Sequence, residues 1–170
     1  MRYLGIDYGL SRVGYALSDD QGLLARPLET LNRHKKTKDG RVRETLGLKR
    51  VGEYSLALVA QHGVECVVLG LPYRSPDQRV QSLHALRASP RISPVLQQIF
   101  QLGDYLSPSC PVLYFDEAYT TVRAYEKMRD LGTKAKKKQG LVDQMAAQLM
   151  LEDFLYAKGA SSRLILEEDS

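Results

Sequence analysis

Tyr3-Leu4-Gly5-Ile6-Asp7-Tyr8-Gly9-Leu10-Ser11-Arg12-Val13-Gly14-Tyr15-Ala16 is the stretch on which the fold turns. Tyr3, Leu4 and Ile6 suit a pleated, buried surface, so the first half reads as a short strand. That strand then carries Asp7 where an apolar residue is expected. An ionised carboxylate in a sheet interior is costly unless it is paired or coordinates a cation. Gly9 and Gly14 permit a tight turn and a close approach of backbone to another group. Val13 to Leu17 resumes the strand pattern, which makes the whole a β-hairpin with Asp7 near its open end. The plainer alternative is a solvated aspartate at a strand end, steadying the turn through its side chain.

Outward from the hairpin, Pro27 to Leu31 offers a third strand beyond the turn at Ser18–Gly22. Asn32 to about Arg41 is basic and has no apolar period, so it reads as a loop. Leu48, Val51, Ser55, Leu58 and Val59 recur at three- and four-residue steps, an amphipathic helix ending near Gly63. Cys66 to Leu71 is a continuous apolar run, as in a central strand covered on both faces. Strand, helix and second apolar strand form a crossover unit, which implies parallel pairing with the first strand.

A loop at Tyr73–Asp77 precedes a helix from about Gln78 to Ala88, which Pro90 and Pro94 break. Helix resumes from Val95 to Leu106, and Pro111 to Glu117 is a further strand pattern finishing in acids. Thr120 and Thr121 can cap a helix over Val122–Leu131. Lys134 to Lys138 is a loop, and Leu141 to Lys158 is the last helix. The pattern is thus α/β: a five-stranded mixed sheet, antiparallel at the hairpin strands and parallel in the remainder, flanked by helices. Residues 1–158 form one domain, with 159–170 a loosely packed tail.

The formal charge of the 170 residues is only +4, but it is unevenly spread. Arg33, Lys35, Lys36, Lys38, Arg41, Arg43, Lys49 and Arg50 crowd one segment, and Lys134, Lys136, Lys137 and Lys138 another. Two clusters of one sign point to a polyanionic partner more than the net charge does, against the alternative of solvated loops. No apolar run approaches the roughly 20 residues of a membrane helix, and Arg2 leads directly into a strand pattern rather than a signal segment. Cys66 and Cys110 have no partner at zinc spacing and read as buried free thiols in a reducing cytoplasm. The expected location is cytoplasmic, with no membrane partner.

Three acidic positions stand where the pattern asks for something apolar. Asp7 lies in the first strand, Asp116-Glu117 end the last, and Asp143 opens a helix whose stripe through Ala146, Ala147, Met150, Leu151 and Phe154 is apolar. Each has a plainer explanation: Asp143 complements a helix dipole, and Asp116 or Glu117 starts a solvated loop. Neighbouring strand residues point to opposite faces, so only one of Asp116 and Glu117 can share a site with Asp7. Converging carboxylates repel unless a divalent cation neutralises them, and all-oxygen sites suit Mg²⁺ or Mn²⁺. Such ions serve phosphoryl displacement, with basic segments holding a nucleic-acid backbone. His34, His62 and His84 have no motif context, and there is no P-loop or dinucleotide glycine fingerprint.

The ordered set Gly5-Ile6-Asp7-Tyr8-Gly9-Leu10-Ser11-Arg12-Val13-Gly14, Val67-Val68-Leu69-Gly70-Leu71-Pro72, Asp116-Glu117-Ala118-Tyr119-Thr120-Thr121 and Val142-Asp143-Gln144-Met145 resembles the YqgF/RuvX family, over about residues 2 to 156. The resemblance implies a ribonuclease H-like fold. It implies a metal-dependent nuclease that matures the 5′ end of pre-16S rRNA or, alternatively, resolves Holliday junctions. It also implies Asp7, Glu117 and Asp143 as catalytic, metal-binding acids, with Asp116 second to Glu117. Arg12, Lys35, Lys36, Arg123, Lys134, Lys136, Lys137 and Lys138 are the expected nucleic-acid contacts. Partners would be structured RNA in ribosomal precursor particles, or branched DNA, bound by a monomer or homodimer. The family's arginine after its Asp-Glu pair is Ala118 here, which removes a planar phosphate-binding fork and bears on substrate choice and rate. A rival class is a binding-only ribosome or transcription factor. A phosphate-binding ATPase is the weakest reading, since the chain is too short for the two lobes of actin-like folds.

Overall fold

Residues 1–36, 39, 42–72, 82–116, 139–159 and 165–166 are those described in the computed structural model. The opening hairpin is formed by β1 (Tyr3–Tyr8) and β2 (Arg12–Ser18), paired antiparallel with Asp7 opposite Gly14. Gly9 closes the turn: its amide donates to the Arg12 carbonyl at 2.9 Å, and a Cβ there would meet that oxygen at 2.6 Å. The need is for close approach, not for a positive φ. β3 (Ala25–Asn32) extends the hairpin antiparallel, with an irregularity between Tyr15 and Ala16.

The crossover unit forms as the pattern requires. Helix α1 (Leu48–His62) ends at Gly63, whose φ of 61° is the left-handed conformation glycine adopts without strain. The chain then enters β6 (Cys66–Leu71), parallel to β1, and β7 (Val112–Asp116) adds parallel to β6. These five strands are the expected mixed sheet. The tail departs from expectation: β8 (Ile165–Leu166) pairs antiparallel with β7, giving the order β3-β2-β1-β6-β7-β8. Two apolar residues are too short a run to announce a strand in the sequence.

The basic segment also departs from the loop reading. β4 (His34–Lys36) and β5 (Val42–Thr45) form a separate two-stranded ribbon. After β6, the next described helix is α2 (Leu83–Arg87), capped by Ser82, whose hydroxyl accepts from the Ala85 amide at 3.2 Å. The expected start at Gln78 lies outside the described residues. Pro94 opens α3 (Pro94–Leu106), where a missing N–H costs nothing, and Ser93 caps it. The expected loop at Tyr73–Asp77, the helix at Val122–Leu131 and the loop at Lys134–Lys138 lie outside the described residues. The last helix, α4 (Gln139–Gly159), matches its expected span to within two residues at each end. Among the described residues, no helix is long and apolar enough to cross a membrane.

Strand alternation divides the buried side chains between two layers. Leu4, Ile6, Val67, Leu69, Leu71 and Tyr114 meet α1, α2 and α3. Tyr3, Ala16, Val68 and Phe115 meet the α4 stripe of Ala147, Met150, Leu151 and Phe154. Gly5 belongs to this second face, where its Cα lies against Leu151; an added Cβ would sit 3.0 Å from the Leu151 Cβ. The buried hydroxyls of Tyr15 and Ser55 in the first layer are satisfied locally. The Tyr15 hydroxyl lies 3.1 Å from that of Ser55, which donates to the Val51 carbonyl. Burial pushes the ionisation of Tyr15 well above its ordinary value. Cys66 and Cys110 are both free and buried, in opposite layers.

Candidate functional site at the end of the central strands

Asp7 lies in β1, one residue beyond the parallel pair Ile6–Leu69. Tyr3, Gly5 and Asp7 alternate onto the α4 face, whereas Leu4, Ile6 and Tyr8 point into the other layer. Asp7 is half-buried, and the facing residue on β2 is Gly14. The carboxylate thus stands at the carboxyl end of the two innermost strands, the end where open α/β sheets bind ligands.

The other acids are placed unequally. Asp116 ends β7 opposite Leu71 and is buried. Phe115 faces α4, so Asp116 alternates to the opposite side of the sheet from Asp7. Asp7 and Asp116 are therefore not brought together. Glu117 lies outside the described residues. Asp143 belongs to α4, one helical turn before Ala147, on the helix that covers the Asp7 face. Only its backbone is described.

The expected nucleic-acid contacts divide similarly. Arg12 begins β2, is half-buried and supplies the carbonyl that closes the Gly9 turn. Lys35 and Lys36 lie on β4, in register with Glu44 and Val42. Arg123, Lys134, Lys136, Lys137 and Lys138 lie outside the described residues.

Arg33, counted in the basic run, is not a solvated charge: it is 5% exposed. Its Nε and Nη2 donate to the Leu46 carbonyl at 3.3 and 3.2 Å. Its Nη1 donates to the Gly9 carbonyl at 3.2 Å and to Gln98 Oε1 at 3.4 Å. The guanidinium carbon stands 4.9 Å from the centre of the Tyr8 ring. The Tyr8 hydroxyl donates to the same Gln98 oxygen at 2.8 Å; burial raises its pKa, and the nearby Arg33 charge opposes that rise. Sequence reasoning had no signal for this role, because a buried arginine inside a basic run looks like its solvated neighbours.

Comparison with known proteins follows the same outline. Residues 1–157 match a family model described as "RuvX: Holliday junction resolvase". A "Putative pre-16S rRNA nuclease" of Ruminiclostridium cellulolyticum is 34% identical over 155 residues, 91% of this chain and 94% of that protein. One of the same name from Acetivibrio thermocellus is 36% identical over 159 residues, covering 94% and 98%. Among solved structures, the Fowlpox virus resolvase in complex with its substrate Holliday junction DNA superposes with a TM-score of 0.52. At 10% identity, covering 93% of this chain and 99% of that one, this likeness concerns the fold, which is ribonuclease H-like. On the family match over residues 1–157 and these relatives, the chain belongs to the RuvX family.

Proposed function

We propose that this chain is a divalent-metal-dependent nuclease that hydrolyses phosphodiester bonds of precursor ribosomal RNA, maturing the 5′ end of pre-16S rRNA in the cytoplasm. The observation that carries the reading is Asp7: a half-buried carboxylate at the carboxyl end of the central strands, on the face that α4 covers. The names of the Ruminiclostridium and Acetivibrio relatives supply the substrate.

Hard carboxylate oxygens suit Mg²⁺ or Mn²⁺, and the partial exposure of Asp7 leaves room for an ion that keeps some of its waters. Asp7, Glu117 and Asp143 would hold such ions. When bound, they supply Lewis-acid activation of a water and neutralise charge at the leaving oxygen. The chain's own part is to fix the carboxylates and the substrate backbone. Asp7 is held by β1 between two hydrogen-bonded neighbours, and Lys35 and Lys36 on β4 offer cations to phosphates. Hydrolysis adds water across the phosphodiester: the new P–O bond forms, the P–O3′ bond breaks, and a 5′-phosphate and a 3′-hydroxyl remain.

A second substrate, branched DNA, is favoured by the family's own description as Holliday junction resolvases. A junction enzyme cuts two strands symmetrically and so acts as a dimer. The test is cleavage of a 5′-extended pre-16S rRNA fragment and a four-way DNA junction, each with Mg²⁺, Mn²⁺ or chelator. Metal-dependent trimming of the RNA alone is the expected result. Symmetric cutting of the junction alone would transfer the reading to the resolvase, and cleavage undiminished by chelator would overturn the metal.

A further inference from the structure

We propose that Arg33 is a positioning residue that locks the basic β4–β5 ribbon to the turn behind Asp7, and so sets where the substrate backbone lies relative to the carboxylate. This inference rests on the nucleic-acid reading above. Among the described residues, β4 and β5 pair only with each other and not with the main sheet, so the contacts at their base bear on their placement. At that base the Leu46 amide donates to the Arg33 carbonyl at 2.6 Å, and the Arg33 side chain donates back to the Leu46 carbonyl. The ribbon's entry and exit are thereby pinned to one residue.

The same residue reaches the strand end that carries Asp7. The Arg33 amide donates to the Ser11 carbonyl at 2.9 Å, its Nη1 to that of Gly9, and its plane covers Tyr8. Gln98 of α3 completes the clamp through Nη1 and the Tyr8 hydroxyl. One guanidinium therefore joins ribbon, catalytic turn and supporting helix. These contacts are carbonyl and amide oxygens and an aromatic face. A charge buried on neutral partners is a weak contributor to stability, and such groups are in some systems retained because they fix one arrangement. Lysine carries its three donors on a single nitrogen, so it cannot reproduce a planar fork whose separate nitrogens meet the Leu46, Gly9 and Gln98 oxygens while the plane covers Tyr8.

The test measures binding of the 5′-extended pre-16S rRNA fragment as a function of salt. It uses protein carrying Asp7→Asn, so that the fragment stays intact. Each phosphate contact contributes about 0.7 to 0.9 to the slope of log affinity against log salt. Lys35→Gln/Lys36→Gln should therefore lower the slope by about 1.4 to 1.8. Arg33→Lys keeps the charge, and Arg33 is too buried to touch a phosphate; it should nonetheless lower the slope by at least as much. Combining it with Lys35→Gln/Lys36→Gln should bring no further loss. Gln98→Met, which takes one acceptor from the far side of the clamp, should shift the slope in the same direction by less, and serves if Arg33→Lys does not fold. A wild-type slope in Arg33→Lys or Gln98→Met, or additive losses in the combination, overturns the clamp while leaving the nucleic-acid reading intact. If Lys35→Gln/Lys36→Gln leaves binding unchanged, the ribbon is not a binding surface, and the inference falls with that part of the functional reading.

Discussion

Gly9→Ala is the substitution in which the geometry next to Asp7 speaks most plainly. A Cβ at position 9 would lie 2.6 Å from the Arg12 carbonyl oxygen, closer than Cβ atoms pack in folded proteins. The obstructing atom is backbone, and it belongs to the first residue of β2, whose register with β1 is fixed from Tyr8–Val13 to Leu4–Leu17. The methyl group cannot be relieved by turning a side chain. The turn must open, and the 2.9 Å bond from the Gly9 amide to that carbonyl is lost. Strain from forced overpacking costs about 1 to 3 kcal/mol, and the lost hydrogen bond about 0.5 to 1.5. Reduced freedom of the unfolded chain returns about 0.4 to 1 kcal/mol. The expected net loss is about 0.5 to 4 kcal/mol, centred on about 2, read as a lower urea midpoint at unchanged slope. Leu10→Ala, one residue along in the same turn and 52% exposed, is the control and should stay within about 0.5 kcal/mol. A Gly9→Ala protein as stable as that control would refute the reasoning.

Gly63→Ala should cost about 1 to 2 kcal/mol although nothing lies within 4 Å of the added methyl, because φ is 61°. Gly63→Asn, which tolerates that conformation, should cost less, and equal stability of all three proteins in urea would contradict the left-handed cap. Asp19 accepts hydrogen bonds from the Leu24 and Leu23 amides, which hold its carboxyl below its ordinary range. A depressed pKa gives stability that is complete above the unfolded value of about 3.9 and is lost as pH falls through the folded value. The gap between the urea midpoints of wild type and Asp19→Asn should therefore narrow on acidification below about pH 4. A gap independent of pH would show that the turn does not use the charge.

What the sequence displayed depended on how many residues shared a pattern. Val13 to Leu17 and Cys66 to Leu71 are long enough to announce strands, and α1 and α4 repeat their apolar positions over several turns. Asp7 was visible because it breaks such a pattern. The ribbon was not, since His34-Lys35-Lys36 and Val42-Arg43-Glu44-Thr45 are short, mostly polar runs with no apolar alternation to announce a strand. Arg33 escaped notice for a related reason: its burial is a property of the Gly9 turn, Leu46 and Gln98, which lie far from it in sequence or on the other side of the ribbon. Alternation left room for only one of Asp116 and Glu117 beside Asp7, and the family resemblance pointed to Glu117. The structure places Asp116 on the face away from Asp7, because Phe115 packs under α4.

Asp7→Asn bears most directly on the proposed chemistry. It replaces one carboxylate oxygen by an amide nitrogen of nearly the same volume, at a half-buried position where either side chain fits. The decisive measurement is the rate of trimming of the 5′-extended pre-16S rRNA fragment by wild type and by Asp7→Asn in Mg²⁺, with affinity for the fragment and urea stability measured on the same preparations. Loss of cleavage by at least about 100-fold, with stability and affinity retained, is the predicted result. Cleavage at the wild-type rate would contradict it and remove Asp7 from the active site.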